Sequence, residues 1–111
     1  MLRKYRNMLK QSHILKIKKS ISRERPDLSD TFSVLGDKTR YKIIELLSRN
    51  KTLCVSDLSA ILDVSMSCIS QHLRILEMSG LVKSNRQGQS ICYSYTNTDP
   101  KINAIVDLIF Y

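Results

Sequence analysis

At Gly80 the spacing of apolar residues changes from that of a helix to that of a strand, and this change restricts the fold more than any other feature of the chain. Before it, Leu58, Ile61 and Leu62 mark a short helix that follows an extended Leu53-Cys54-Val55, with Ser56 as its predicted N-cap. Asp63-Val64 forms a tight turn. Ser65 then caps a longer helix through Met78, whose apolar side is Ile69, Leu73 and Leu76 and whose stop is Gly80. After Gly80, Leu81-Val82-Lys83 and Ile91-Cys92-Tyr93-Ser94-Tyr95 read as two strands. They flank Asn85-Arg86-Gln87-Gly88-Gln89, which is predicted to form the turn of a β-hairpin around Gly88.

The elements on either side are helical. Pro26 suits the first turn of a helix that carries Leu28, Phe32 and Leu35 inward and stops at Gly36. Asp37 caps the next helix, with Ile43, Ile44, Leu46 and Leu47 at helical spacing and an end at Asn50-Lys51. Asp99-Pro100 opens a closing helix with apolar Ile102, Ile105, Leu108 and Ile109. The expected fold is therefore mainly α with a small β-hairpin wing, a winged helix-turn-helix. A chain of 111 residues has room for one such domain.

Charge divides the chain in two. Residues 1–25 hold nine Lys and Arg against the single acid Glu24, which accounts for the whole net charge of +8. Residues 26–111 are formally neutral. We therefore read 1–25 as a basic N-terminal extension and 26–111 as the winged helix-turn-helix domain for DNA binding and dimerisation. Leu2, Tyr5, Leu9, Ile17 and Ile21 give the extension an apolar stripe, interrupted at His13, as in a basic amphipathic helix over 2–21. Such an arm suits a polyanion, either nucleic acid or an anionic membrane surface. No segment approaches the roughly 18 consecutive apolar residues of a membrane span.

In a helix-turn-helix the second helix enters the major groove and the first crosses the backbone. Ser67, Ser70, Gln71 and Arg74 recur at i, i+3, i+4 and i+7, opposite Ile69, Leu73 and Leu76. Gln71 can make two hydrogen bonds to an adenine edge, while the serines and Arg74 suit phosphate. Lys83, Arg86 and Gln89 would place polar and positive groups on the protruding hairpin, able to lie along a groove. Alone, either feature is an ordinary solvated surface; their order along the chain gives them meaning.

Five segments, in this order, resemble the ArsR/SmtB repressors: Phe32-Ser-Val-Leu-Gly-Asp-Lys-Thr-Arg40, Leu53-Cys-Val-Ser-Asp-Leu58, Ser65-Met-Ser-Cys-Ile-Ser-Gln-His-Leu-Arg-Ile-Leu76, Ser79-Gly-Leu-Val82 and Arg86-Gln-Gly-Gln-Ser-Ile-Cys-Tyr-Ser94. The resemblance covers about residues 27–110. It implies a dimeric repressor that leaves operator DNA when a ligand, often a metal ion, binds. It also implies groove contacts at Ser67, Ser70 and Gln71, the hairpin as the wing, and a homodimer through the first and last helices of the domain. The uniformly apolar closing helix fits that last role on physical grounds.

Two metal-site patterns recur in those repressors, and neither is complete here. Where the pattern has Cys-Val-Cys-Asp-Leu this chain has Cys54-Val-Ser56-Asp57-Leu58, and one thiolate is a poor site for a soft metal. The extension holds no cysteine to complete it, so His13 could join Cys54 only across a dimer. The second pattern needs histidines on the last helix, and residues 90–111 have none, offering only Asp99 and Asp107. His72 in the long helix suits a structural or phosphate role better than a metal. No metal or other cofactor is therefore expected.

Cys54, Cys68 and Cys92 are odd in number and widely spaced, which suits reduced thiols in the cytoplasm better than a disulfide framework. Buried, inert cysteine is the default for all three. Cys54 is also read as a thiol sensor, because a helix start favours thiolate. The leading function is a sequence-specific regulator of transcription acting on double-stranded DNA, released by a metal or thiol-reactive signal. The alternatives are a regulator without effector and a winged-helix module that binds protein. An enzyme is not expected: there is no glycine-rich phosphate loop and no nucleophile–base pair, with two histidines in all.

Overall fold

The computed structural model describes residues 8–21 and 28–111. Its elements run α1 (Gln11–Ser20), α2 (Leu28–Leu35), α3 (Lys38–Arg49), β1 (Leu53–Cys54), α4 (Val55–Leu62), α5 (Met66–Met78), β2 (Val82–Gln87), β3 (Ser90–Tyr95) and α6 (Pro100–Phe110). Helices dominate, and one small antiparallel sheet has the order β1-β3-β2.

Local chemistry sets most boundaries. Asp37 accepts the backbone N–H groups of Thr39 and Arg40 at the start of α3, Ser65 accepts that of Cys68 at the start of α5, and Asp99 accepts that of Lys101 at the start of α6, where Pro100 needs no partner. Each satisfies donors that a helix N-terminus leaves open. Gly80, with φ of 78°, ends the α5 turn in the left-handed region that glycine enters without strain. Asp63 adopts the same region with φ of 58° in the turn between α4 and α5. There Ser59 Oγ donates to Val64 O and closes the turn.

The core forms where α3, α4 and α5 converge under the sheet. Ile43 and Ile44 of α3, Leu58 of α4, and Ile69, Leu73 and Leu76 of α5 are all completely buried. Leu81, Val82 and Cys92 extend this core to the roots of β2 and β3, and Val106 and Phe110 close it from α6. The Phe110 ring also meets Tyr41 of α3, with centroids 4.9 Å apart. These are the positions the apolar periodicity of α3 and α5 marks. The outward residues of α5 are fixed by this packing, because rotating the helix would expose three fully buried side chains.

Several expectations need correction. Phe32 is 53% exposed, because Thr31 and Leu35, one turn apart, take the core-facing side of α2. The N-cap of α4 is Cys54, not Ser56: the Asp57 carboxylate reaches back to accept the Cys54 N–H at 2.8 Å, so the helix starts at Val55. Of the apolar residues that mark α4, Ile61 is exposed; α6 buries Val106 and Phe110 and leaves the apolar Leu108 and Ile109 exposed, with no burial in the core having been expected of them. The hairpin loop is shorter than expected. β2 pairs as far as Gln87↔Ser90, so Asn85, Arg86 and Gln87 are strand residues and only Gly88 and Gln89 form the turn. Gly88 alone has a positive φ there, the pattern of a two-residue hairpin with glycine first.

Of the predicted helix over 2–21, Gln11–Ser20 is helical, while Leu2, Tyr5 and also Pro26 lie outside the described residues. None of the residues of α1 is buried, so within one chain this helix joins no core. No helix among the described residues is long and apolar enough to cross a membrane.

Candidate nucleic-acid interface

Ser67, Ser70, Gln71 and Arg74 are all exposed on one side of α5, with Ile69, Leu73 and Leu76 fully buried on the other. Lys83, Arg86 and Gln89 are exposed on the β2–β3 hairpin. Helix side and hairpin are joined in two places. Near the end of α5, a Glu77 carboxylate oxygen accepts the Ser84 hydroxyl at 2.7 Å and the Ser84 backbone N–H at 3.3 Å. Nearer its start, Met66 and Ser70 line a groove of about 290 Å³ together with Cys54, Val55, Ser56, Gln89, Ser90 and Ile91. Of the seven polar residues expected from the sequence, this groove brings Ser70 and Gln89 together, while Lys83 and Arg86, three positions apart on β2, lie on opposite faces of the strand.

The hairpin is also tied to the rest of the domain. β3 is the central strand and pairs with β1 through Leu53↔Tyr93 and Cys54↔Cys92. At its far end the Tyr95 hydroxyl donates to Asn103 Oδ1 of α6 at 2.7 Å. Asn103 in turn donates from Nδ2 to Asn97 O. Burial, and next the Asp107 charge, hold the Tyr95 hydroxyl above its ordinary titration range, so it remains a donor.

Three features of the site were not expected from the sequence. Cys54 and Cys92 are joined by a disulfide, where the number and spacing of the cysteines favoured reduced thiols. Cys68 alone is free, and half-buried. The second feature is a cluster on the inner edge of α5, where His72 Nδ1 lies 3.3 Å from Arg40 Nη1 and 3.8 Å from Asp37 Oδ2. Arg40 Nε also donates to Val34 O, so α2, α3 and α5 meet at this point. The Asp37 carboxyl is held below its ordinary titration range, chiefly by the Arg40 backbone N–H; burial opposes this, and the charges of His72 and Arg40 and the Thr39 N–H add to the lowering. The third is the Glu77–Ser84 link. A capping Asp at 37 is legible locally, but contacts with partners far along the chain leave no mark in periodicity.

Among the described residues no group of three or more His, Cys, Asp or Glu side chains could hold a metal ion. His72 is engaged by Asp37 and Arg40, and His13 is exposed on α1.

Residues 37–84, from the Asp37 cap to the Ser84 link, match the family described as bacterial regulatory protein, arsR family. Over 101 residues the chain is 32% identical to a cadmium resistance transcriptional regulatory protein CadC homolog of Staphylococcus aureus, covering 90% of this chain and 82% of that protein. The chain belongs to the arsR family. Against two further cadmium resistance regulators this arsR-family chain spans 62% of their length. The reduced HlyU structure from Vibrio cholerae superposes with a TM-score of 0.65 at 26% identity, over 89% of this chain and 93% of that one. The transcriptional repressor PagR of Bacillus anthracis superposes with a TM-score of 0.61 at 34% identity, over 74% of this chain and 94% of that one. The family is one of transcriptional regulators, not enzymes, and this arsR-family protein is a DNA-binding regulator with a winged helix-turn-helix fold.

Proposed function

We propose that this regulator represses transcription by binding operator DNA as a homodimer, with α5 in the major groove and the β2–β3 hairpin along the adjacent backbone. The observation that carries this reading is the division of α5: Ser67, Ser70, Gln71 and Arg74 are exposed together, while Ile69, Leu73 and Leu76 are wholly buried behind them. Gln71 would read a base edge; Ser67 and Ser70 would contact the groove wall, and Arg74, Lys83 and Arg86 the phosphates. Gln89, in the hairpin turn, would hydrogen-bond to the sugar–phosphate backbone.

The dimer would form through α2 and α6, the first and last helices of a domain spanning residues 26–111. Phe32 of α2 and Leu108, Ile109 and Tyr111 at the end of α6 are exposed apolar or aromatic groups, with Leu108 84% exposed. A protein interface made by α5 instead would use its exposed apolar residues Met66, Ile75 and Met78 as anchors, whereas Ser67, Ser70, Gln71 and Arg74 provide none. The basic extension 1–25 would add non-specific attraction to DNA.

Selection of bound duplexes from a random pool, followed by mobility shifts, tests the proposal. It expects enriched half-sites about one helical turn apart, near 34 Å, and binding that weakens steeply with salt. Absence of binding at low salt across the whole pool would refute it.

A further inference from the structure

We propose that the Tyr93 hydroxyl is a phosphate-binding group: with Arg74 it grips one phosphate of the DNA strand that passes between α5 and the wing. The inference rests on the DNA-binding reading and adds to it a residue of the central strand, outside those already named.

Tyr93 is held at its ring and free at its oxygen. The ring is half-buried and packs against the core, so the side chain has little freedom left to lose on binding. Among the described residues its hydroxyl makes no hydrogen bond, yet no buried side-chain oxygen is left without a partner. The Tyr93 oxygen is therefore open to solvent. Tyr95, two positions on and on the same side of β3, differs, because its hydroxyl is already spent on Asn103. A phenylalanine at 93 would pack the ring as well; the hydroxyl adds only an outward donor.

The sheet register sets its direction. Tyr93 sits opposite Ser84, so both side chains leave the sheet on one side, and Ser84 there reaches Glu77 of α5. Tyr93 feels the charges of both Glu77 and Arg74, which puts its hydroxyl at the junction of α5 and the wing. Burial, and then Glu77, hold that hydroxyl above its ordinary titration range against the opposing effect of Arg74, so it stays a donor. Glu77 is engaged by the two Ser84 donors, while Arg74 is exposed and has no ion pair among the described residues. A neutral donor and a free cation thus meet where one strand's backbone must run if α5 lies in the major groove. That combination suits a phosphate, with the hydroxyl donating to one oxygen and the guanidinium supplying the charge.

Tyr93→Phe removes one oxygen and keeps the ring. Fluorescence anisotropy on the full chain, with a selected and a random-sequence duplex, should show both bound about three- to tenfold more weakly. The ratio of the two affinities should hold, because a phosphate contact carries no sequence information. The salt slope should hold as well, since a neutral hydroxyl displaces no counterion, whereas Arg74→Gln should lower it by about 0.9. Methylphosphonates, which neutralise one phosphate at a time in the selected duplex, then locate the contact. At one phosphate in each half-site the difference between wild type and Tyr93→Phe should fall to about twofold or less. A general loosening of the fold would leave that difference equal at every position, and this result would overturn the proposal. So would a Tyr93→Phe protein that binds as tightly as wild type, or one that loses its preference for the selected duplex. If wild type itself binds no duplex at low salt, the DNA-binding reading fails and takes the proposal with it, a result distinct from the other three.

Discussion

Glu77 of the long helix accepts two hydrogen bonds from Ser84 of the wing, one from its hydroxyl at 2.7 Å and one from its backbone at 3.3 Å. The pair is exposed and crosses the junction between two elements that must engage one duplex together. Its strength is modest, about 1.5–3 kcal/mol for a hydrogen bond to a charged group and less where water competes. Its value lies in fixing the angle of the wing to α5.

Glu77→Ala should therefore weaken DNA binding several-fold while altering the urea midpoint little. Ser84→Ala should have a smaller effect, since the backbone N–H remains. Fluorescence anisotropy with a selected duplex, beside chemical denaturation, measures both.

Gln71 and the wing cations should fail differently. Gln71→Ala should cost about 1–3 kcal/mol against the preferred sequence and little against random duplex. Lys83→Gln and Arg86→Gln should weaken binding to all sequences, each lowering the salt slope by about 0.9. Titrations at several salt concentrations on both duplexes separate base reading from phosphate contact.

Leu108→Glu and Phe32→Glu place charge on exposed positions of α6 and α2. Both should leave circular dichroism unchanged and shift the protein to a monomer by sedimentation velocity. DNA affinity should fall sharply, since each half-site would then be bound alone. A dimer that persists in the double variant would move the interface elsewhere.

Asp37 couples stability to pH. Its carboxyl titrates below its ordinary value in the folded chain, so folding favours the ionised form. The stabilisation is fully present above about pH 4, the unfolded range, and is lost as pH falls through the lower folded value. Asp37→Asn keeps a capping oxygen and should flatten the acid limb of a plot of urea midpoint against pH. Asp37→Ala should cost about 1 kcal/mol at neutral pH.

What could be read from the sequence was what nearby residues decide. Asp37, Ser65 and Asp99 cap helices because their partners lie two or three positions away. Ile69, Leu73 and Leu76 declare the buried side of α5 for the same reason, and with it the outward serines, Gln71 and Arg74. Phe32 was misplaced because Thr31 competes for the same side of a two-turn helix, and a threonine at the core edge defeats apolar counting. Cys54 and Cys92 are 38 residues apart and meet only through the register of a two-residue strand. Such short strands have no periodicity to detect. Asn85 to Gln87 read as a loop because they are polar, yet a wing strand facing solvent on both sides has no reason to alternate.

Among the described residues β2 has β3 on one flank and no strand on the other, so its outer row of backbone donors and acceptors, apart from the Ser84 N–H taken by Glu77, is open to any passing extended chain. Lys83 and Arg86 stand on that border, where like charge on a second molecule would discourage sheet-to-sheet growth. Removing them with apolar substitutes would strip a guard against aggregation as well as a pair of cations, and an insoluble variant could then pass for one that had lost its target. Polar replacements keep those two outcomes apart.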